Sequence, residues 1–101
     1  MPLNIQQTSK YCGDDRWEWS VRLKGPKKDL DEVDRVIYQL HPTFSRPVVE
    51  IDSRESDFRL DSSGWGVFRL YAKVIFKDER PPLKLHHDLK LKYPNGKAVT
   101  A

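Results

Sequence analysis

Cysteine is almost absent: Cys12 stands alone in 101 residues, which excludes an internal disulfide and a cysteine-rich zinc site and leaves a free thiol as the expectation. Long apolar runs are missing too. No window approaches the roughly eighteen apolar residues of a membrane-spanning helix. Met1-Pro2-Leu3-Asn4 leads into polar residues, without the charged start, apolar stretch and small-residue cleavage site of a secretion signal. These absences predict one soluble, intracellular domain over residues 1–101, free-standing or cut from a longer protein, with no membrane contact. There is no glycine-rich phosphate loop, no nucleophile elbow and no Cys/His pairing, and the carboxylates scatter along the chain. His41, His86 and His87 lack helical metal spacing, and adjacent histidines in a strand point to opposite faces, so they cannot grip one ion together. No catalytic residue, metal ligand or cofactor is expected. A domain of this size buries roughly 60–65% of its unfolded surface, which leaves little room for a large catalytic cleft.

Neither sign of charge dominates. The net charge is +3 and the sequence pI about 9.1, so contact with nucleic acid has to be weighed. Lys84, Lys90, Lys92 and Lys97 form a basic stripe, but Asp88 interrupts it, and Asp14, Asp15, Asp29, Asp31, Glu32 and Asp34 crowd elsewhere. Lysines alternating along a strand commonly keep a sheet edge soluble. Nucleic-acid binding therefore ranks as the lesser alternative.

The apolar spacing has period two. Over Trp65–Phe76, Phe68, Leu70, Ala72, Val74 and Phe76 share one face, which assigns all of them to the core, while Arg69, Tyr71 and Lys73 take the other. Leu83–Lys92 repeats the alternation. Trp17, Trp19, Val21 and Leu23 alternate up to Gly25-Pro26, with Trp19 expected in the core, and Val36, Tyr38 and Leu40 do so up to Pro42. Val48–Ile51 and Phe58–Leu60 supply short strands, Leu3–Thr8 gives a weaker signal, and Asp29–Val36 reads as a solvated loop rather than a helical turn. Six to eight short strands of this kind predict an all-β chain folded as an immunoglobulin-like antiparallel β-sandwich.

Two segments stand out against this pattern. Leu40-His41-Pro42-Thr43-Phe44 and Gly64-Trp65-Gly66-Val67-Phe68 each put an aromatic ring in a loop beside hydrogen-bonding groups. Two such loops suggest a slot for a flat, neutral group; the alternative is that Phe44 and Trp65 only cap the two ends of the sandwich. An unmodified lysine would leave its hydration shell on entering, at a cost that a cation–π attraction of about 0.5–2 kcal/mol offsets only in part. An acylated lysine carries no charge and presents one amide donor and one acceptor.

With its tryptophan-bearing strand Trp19–Gly25, the segment Val36–Pro47 that includes His41-Pro42-Thr43-Phe44, the Gly64–Phe68 turn and the late His87-Asp88-Leu89-Lys90-Leu91, the chain resembles a YEATS domain over most of its length. The resemblance implies an immunoglobulin-like sandwich that reads acylated lysine, of acetyl or crotonyl type, on protein tails, chiefly histones. It implies that Phe44 and Trp65 are the aromatic walls, that the Thr43 hydroxyl and the Trp65 backbone N–H bond the acyl amide, and that His41 braces Thr43. It further implies that Gly64 and Gly66 allow close approach and that Asp88 meets a basic residue flanking the lysine. The chain departs from the family in its clipped loops, in Thr43 where serine is commoner, and in Asp14-Asp15-Arg16 where some members carry an aromatic residue. A pocket open on that side is expected to favour an extended, planar acyl chain. The compactness resembles the prokaryotic branch, in which an adaptor or ligand-sensing module without histone targets is the alternative. The compartment would then be cytoplasmic, and nuclear in a eukaryote. Oligomeric state is not legible.

Overall fold

A computed structural model describes residues 3–99. Seven strands follow in order: β1 (Asn4–Gly13), β2 (Arg16–Lys24), β3 (Val33–Gln39), β4 (Val48–Ile51), β5 (Leu60–Gly64), β6 (Arg69–Phe76) and β7 (Leu83–Asp88), with a helical turn α1 (Lys27–Leu30) between β2 and β3. They form two antiparallel sheets, β1-β2-β5 and β4-β3-β6-β7, packed face to face as an immunoglobulin-like sandwich.

The alternation seen in the sequence puts Trp17, Trp19, Val21 and Leu23 of β2 against Val33, Val36 and Tyr38 of β3 and Leu70, Ala72, Val74 and Phe76 of β6, all buried. Phe68 departs from that assignment. It is half-buried at the end of the core, because the β6 ladder begins only at Arg69 and residues 65–68 belong to a loop. β7 likewise ends at Asp88, four residues short of the expected strand. Leu89 and Leu91 keep the inward phase and are buried, but only the Leu89 N–H, donating to the Phe68 carbonyl, continues the pairing. Phe58 is not in a strand.

Two other segments correct the sequence reading. The weak candidate Leu3–Thr8 is part of a ten-residue strand. Its inward-phase positions include Gln7 and the exposed Ser9, which hide the apolar period. Gln7 faces inward because it joins the sheets: its side-chain amide donates to the Lys90 carbonyl, and its oxygen takes the Lys90 N–H and lies 2.7 Å from His87 Nε2. Asp29–Val36 is not a loop throughout: Asp29 and Leu30 end the single turn after Pro26, which carries Leu30 into the core, and Val33–Val36 already belong to β3.

The β4–β5 connection ends in two left-handed residues, Asp57 (φ 57°) and Phe58 (φ 59°), a conformation uncommon outside glycine and disfavoured for a bulky side chain. Burial of the Phe58 ring holds it there, together with a 2.6 Å hydrogen bond from the Tyr38 hydroxyl to the Phe58 carbonyl. That hydroxyl is well removed from water, and burial pushes its pKa above the ordinary phenol value.

Tyr38→Phe should destabilise the domain by about 1–3 kcal/mol, because it leaves the Phe58 carbonyl buried without a donor; urea unfolding measures it. A second expectation concerns pH. Burial, reinforced by Lys90, lowers the His87 pKa below its ordinary 6.5, so the unfolded chain takes up the proton more readily than the folded one. This contribution is fully present above pH 6.5 and declines as pH falls below that value. Urea midpoints should therefore drop on acidification in the parent and less so in His87→Gln.

Candidate functional site

Three connections meet at one end of the sandwich: the β1–β2 turn, the β3–β4 loop and the β5–β6 loop. The β1–β2 register slips at Cys12, since Tyr11 faces Trp17 and Gly13 faces Arg16, and such a bulge re-aims the residues around it. Gly13 (φ 88°), Asp14 (φ 53°) and Asp15 (φ 58°) then reverse the chain, with two left-handed residues at the centre of a two-residue hairpin turn. An aromatic cluster fixes this turn. The rings of Tyr11, Trp17 and Tyr93 pack with centroids 4.9–5.5 Å apart, and the Tyr93 hydroxyl donates to Asp15 Oδ1 at 2.7 Å. Arg16, the first residue of β2, is thereby held over the end of the sandwich.

The β3–β4 loop is closed at its base by the Leu40 N–H donating to the Pro47 carbonyl and tightened by Phe44 N–H donating to the His41 carbonyl at 3.0 Å. Within it, the Thr43 backbone N–H donates to His41 Nδ1 at 3.3 Å, and the Thr43 hydroxyl lies 2.9 Å from the same nitrogen. In the tautomer that leaves Nδ1 unprotonated, the one this backbone N–H contact favours, the hydroxyl donates to Nδ1 as well. In that tautomer the Thr43 hydrogen is engaged by His41, and its oxygen lone pairs are presented outward as acceptors.

Phe44 and Phe68 pack on each other at 5.4 Å, and both meet Trp19 with near-perpendicular rings, at 6.4 Å and 5.9 Å. Trp19 is buried as expected and packs from the core against the Phe44 and Phe68 rings. On the β5–β6 loop, Trp65 is 72% exposed, and its backbone N–H is claimed by no turn or loop hydrogen bond among the described residues. The space between the loops is a cavity of about 320 Å³ lined by His41, Thr43, Phe44, Gly64, Trp65 and Gly66, and also by Arg16, Ser63, Val67 and Phe68.

Six of the seven candidate site residues thus come together. The seventh, Asp88, does not line the cavity. It sits opposite Arg69 across β6 and β7, and Arg69 Nε donates to its Oδ1 at 2.7 Å, a bond that holds its carboxyl below the usual range. Sequence reasoning missed Arg16, Ser63 and Val67, and it placed Phe68 in the core. The side expected to be open carries Arg16. The pairing of β2 with β5, which sets Trp17 opposite Gly64, brings Arg16 beside the β5–β6 loop, and the sequence carries no signal of that pairing. A broader groove of about 580 Å³ crosses the outer face of the β1-β2-β5 sheet, but it presents the hydroxyls of Thr8 and Ser20 and the charges of Lys10, Glu18, Arg59 and Asp61 in place of facing rings.

The cavity thus gathers aromatic rings, the Thr43 hydroxyl and a glycine-flanked loop in one place. A family model described as the prokaryotic YEATS domain matches residues 17–90, which span β2 to β7 and both aromatic loops. The chain belongs to the YEATS domain family. Its relatives include a transcription initiation factor TFIID subunit 14 of Schizosaccharomyces pombe, 37% identical over 67 residues (61% of this chain, 27% of the relative). A protein AF-9 homolog of Eremothecium gossypii is 31% identical over 103 residues (89% of this chain, 49% of the relative). The chain therefore spans only about a quarter to a half of the length of these relatives. Among solved structures, the Yaf9 YEATS domain bound to H3K27ac superposes with a TM-score of 0.76 at 27% identity, covering 90% of this chain and 71% of that one. The Yaf9 YEATS domain recognising an H3K122suc peptide gives 0.74 at 28% identity, covering 88% and 70%. No helix among the described residues is long and apolar enough to cross a membrane.

The glycines of this YEATS pocket separate a demand of the fold from a demand of the ligand. A Cβ on Gly66 would meet nothing within 4 Å, and one on Gly64 only Phe44 Cζ at 4.0 Å. Gly64→Ala and Gly66→Ala should therefore keep the parent's stability or gain up to about 1 kcal/mol through the unfolded chain, as thermal unfolding will report. Marked destabilisation would show that the fold itself requires glycine there.

Proposed function

We propose that this YEATS domain is a non-catalytic reader that binds the acylated side chain of a lysine, of acetyl or crotonyl type, in a partner protein. The observation that carries the reading is the His41-braced Thr43 acceptor between the Phe44 ring and the glycine-flanked Trp65, whose N–H is available. In this reading the lysine amide lies between the two rings, donates to Thr43 Oγ1 and accepts from the Trp65 N–H. His41, Thr43, Phe44, Gly64, Trp65 and Gly66 form the binding set. Asp88 would add a contact only if a basic residue beside the modified lysine displaced Arg69 from it.

The Yaf9 structures support the acyl class, since those domains are seen with acetylated and succinylated histone peptides. A histone tail in a nucleus is one setting. The other, favoured by the match to the prokaryotic family model, is a cytoplasmic adaptor or sensing module whose acylated partner is not a histone. The recognition chemistry is the same in both, and no step of it needs a cofactor, a metal or a membrane.

Two stacking contacts and two hydrogen bonds together contribute roughly 2–6 kcal/mol before ordering costs, short of the ~8 kcal/mol of micromolar binding. Residues beside the modified lysine must supply the remainder. Titration of acetyl-lysine, crotonyl-lysine and unmodified peptides, followed by nuclear magnetic resonance, should move the amides of His41–Phe44 and Gly64–Gly66 for the acylated peptides alone. Trp65→Ala should weaken binding by roughly 1.5–3 kcal/mol through lost stacking and burial, and Thr43→Val by about 0.5–1.5 kcal/mol through one lost acceptor. Absence of shifts at those residues at millimolar peptide would refute the reading.

A further inference from the structure

Arg16 is the only residue with a permanent charge in the lining of the pocket, and it is a cation. Its partners in the lining are rings, glycines, Val67, His41 and the hydroxyls of Thr43 and Ser63; no carboxylate is present. Among the described residues the ion pairs are made by Arg35, Arg54, Arg59, Arg69 and Arg80, and Arg16 takes part in none. Nor does it make a side-chain hydrogen bond among the described residues, unlike Arg22, Arg35, Arg54, Arg59, Arg69 and Arg80.

The acids nearest to it in sequence do not neutralise it. Asp15 accepts from the Tyr93 hydroxyl. Glu18, two residues on, lies opposite Lys10 and Ser63 on the outer groove of the β1-β2-β5 sheet rather than in this pocket. Asp14 occupies the turn itself and lines neither cavity. The bulge at Cys12 and the Tyr11–Trp17–Tyr93 cluster fix the backbone that carries the guanidinium. The side chain itself is exposed and makes no bond that would have to break before it met a ligand.

A guanidinium beside an otherwise neutral slot has a chemical consequence. A neutral acyl chain reaching it would take away part of its water and return nothing, whereas a chain ending in a carboxylate would give it a charge-assisted, two-pronged partner. Succinyl-lysine is a ligand already seen on the related Yaf9 domain; we propose that in this chain Arg16 is the specificity-determining residue, biasing the pocket toward acyl chains that end in a carboxylate, of succinyl or glutaryl type. This rests on the acyl-reader reading above. The lysine amide keeps its place between Phe44 and Trp65, the methylenes run past Phe68 and Val67, and the terminal carboxylate meets Arg16.

The test uses the full chain and a short Gly/Ser peptide with one central lysine, unmodified or carrying acetyl, succinyl or succinamyl groups. Succinamyl is the neutral carboxamide counterpart of succinyl and has nearly its shape. Affinities come from nuclear magnetic resonance titration at low and at high salt. The succinyl peptide should bind about three- to tenfold more tightly than the succinamyl one, the scale of a single partly exposed charge-assisted contact, and the advantage should shrink with salt. Arg16→Gln should abolish the difference, Arg16→Glu should reverse it, and Arg16→Lys should retain a part. Because Arg16 is exposed and unbonded, all three variants should fold, which circular dichroism checks. Equal binding of the succinyl and succinamyl peptides, or a preference that survives Arg16→Gln, would overturn the assignment while acetyl binding left the reader function standing. If no acylated peptide outbound the unmodified one, both would fall.

Discussion

The rings of Trp19, Phe44 and Phe68 meet where the two sheets end, and the site depends on that meeting. Trp19 belongs to β2 and is buried. Phe44 comes from the β3–β4 loop and Phe68 from the residue before β6, so one cluster ties both sheets to both loops. The near-perpendicular contacts of Trp19 with the two phenyl rings set the positive edge of one ring against the negative face of another, worth about 0.5–1.5 kcal/mol per pair beyond burial. The Trp19 Nε1 hydrogen has no partner among the described residues. Ring contact, not hydrogen bonding, therefore positions this indole. A substitution that shifted it would disturb the two pocket-lining rings that pack on it along with the core.

The two loops differ in how far they are organised. The β3–β4 loop is tied at both ends of its turn and arrives with its acceptor oriented, because one histidine nitrogen organises both a backbone N–H and a hydroxyl. The β5–β6 loop carries a ring that packs on no other aromatic ring among the described residues, together with a free backbone donor. One side of the slot is thus preorganised, and the other keeps a large apolar surface in water until something covers it. Binding would gain from burying Trp65, whereas Phe44 already contributes to the free fold.

Much of the fold was legible because inward positions on β2, β3 and β6 are filled by large apolar side chains at strict period two. Legibility failed where an inward position is polar. Gln7 and Ser9 obscured β1: Gln7 bridges the two sheets by hydrogen bonds and so leaves no mark in an apolar pattern, and Ser9 is an exposed polar residue. It failed again at ladder ends. Phe68, Leu89 and Leu91 keep the phase of their strands after pairing has stopped, and phase alone does not locate the last paired residue. α1 was missed because four residues are too few to show a helical period, although Leu30 needed a way into the core.

Of the site, the sequence by itself determined the types of group available: two aromatic residues in loops, a hydroxyl beside one of them and a glycine on each side of the other, all within short segments. These were readable because their neighbours in space are also neighbours in the chain. The tertiary structure alone decided which distant residues join them. Arg16 enters the pocket through a one-residue bulge and a left-handed turn held by Tyr93, a residue far along the chain. Asp88 is engaged by Arg69 because β6 and β7 pair in one register and no other. Both outcomes turn on strand register and long-range packing, which follow from how the whole core closes and not from the order of residues at the site.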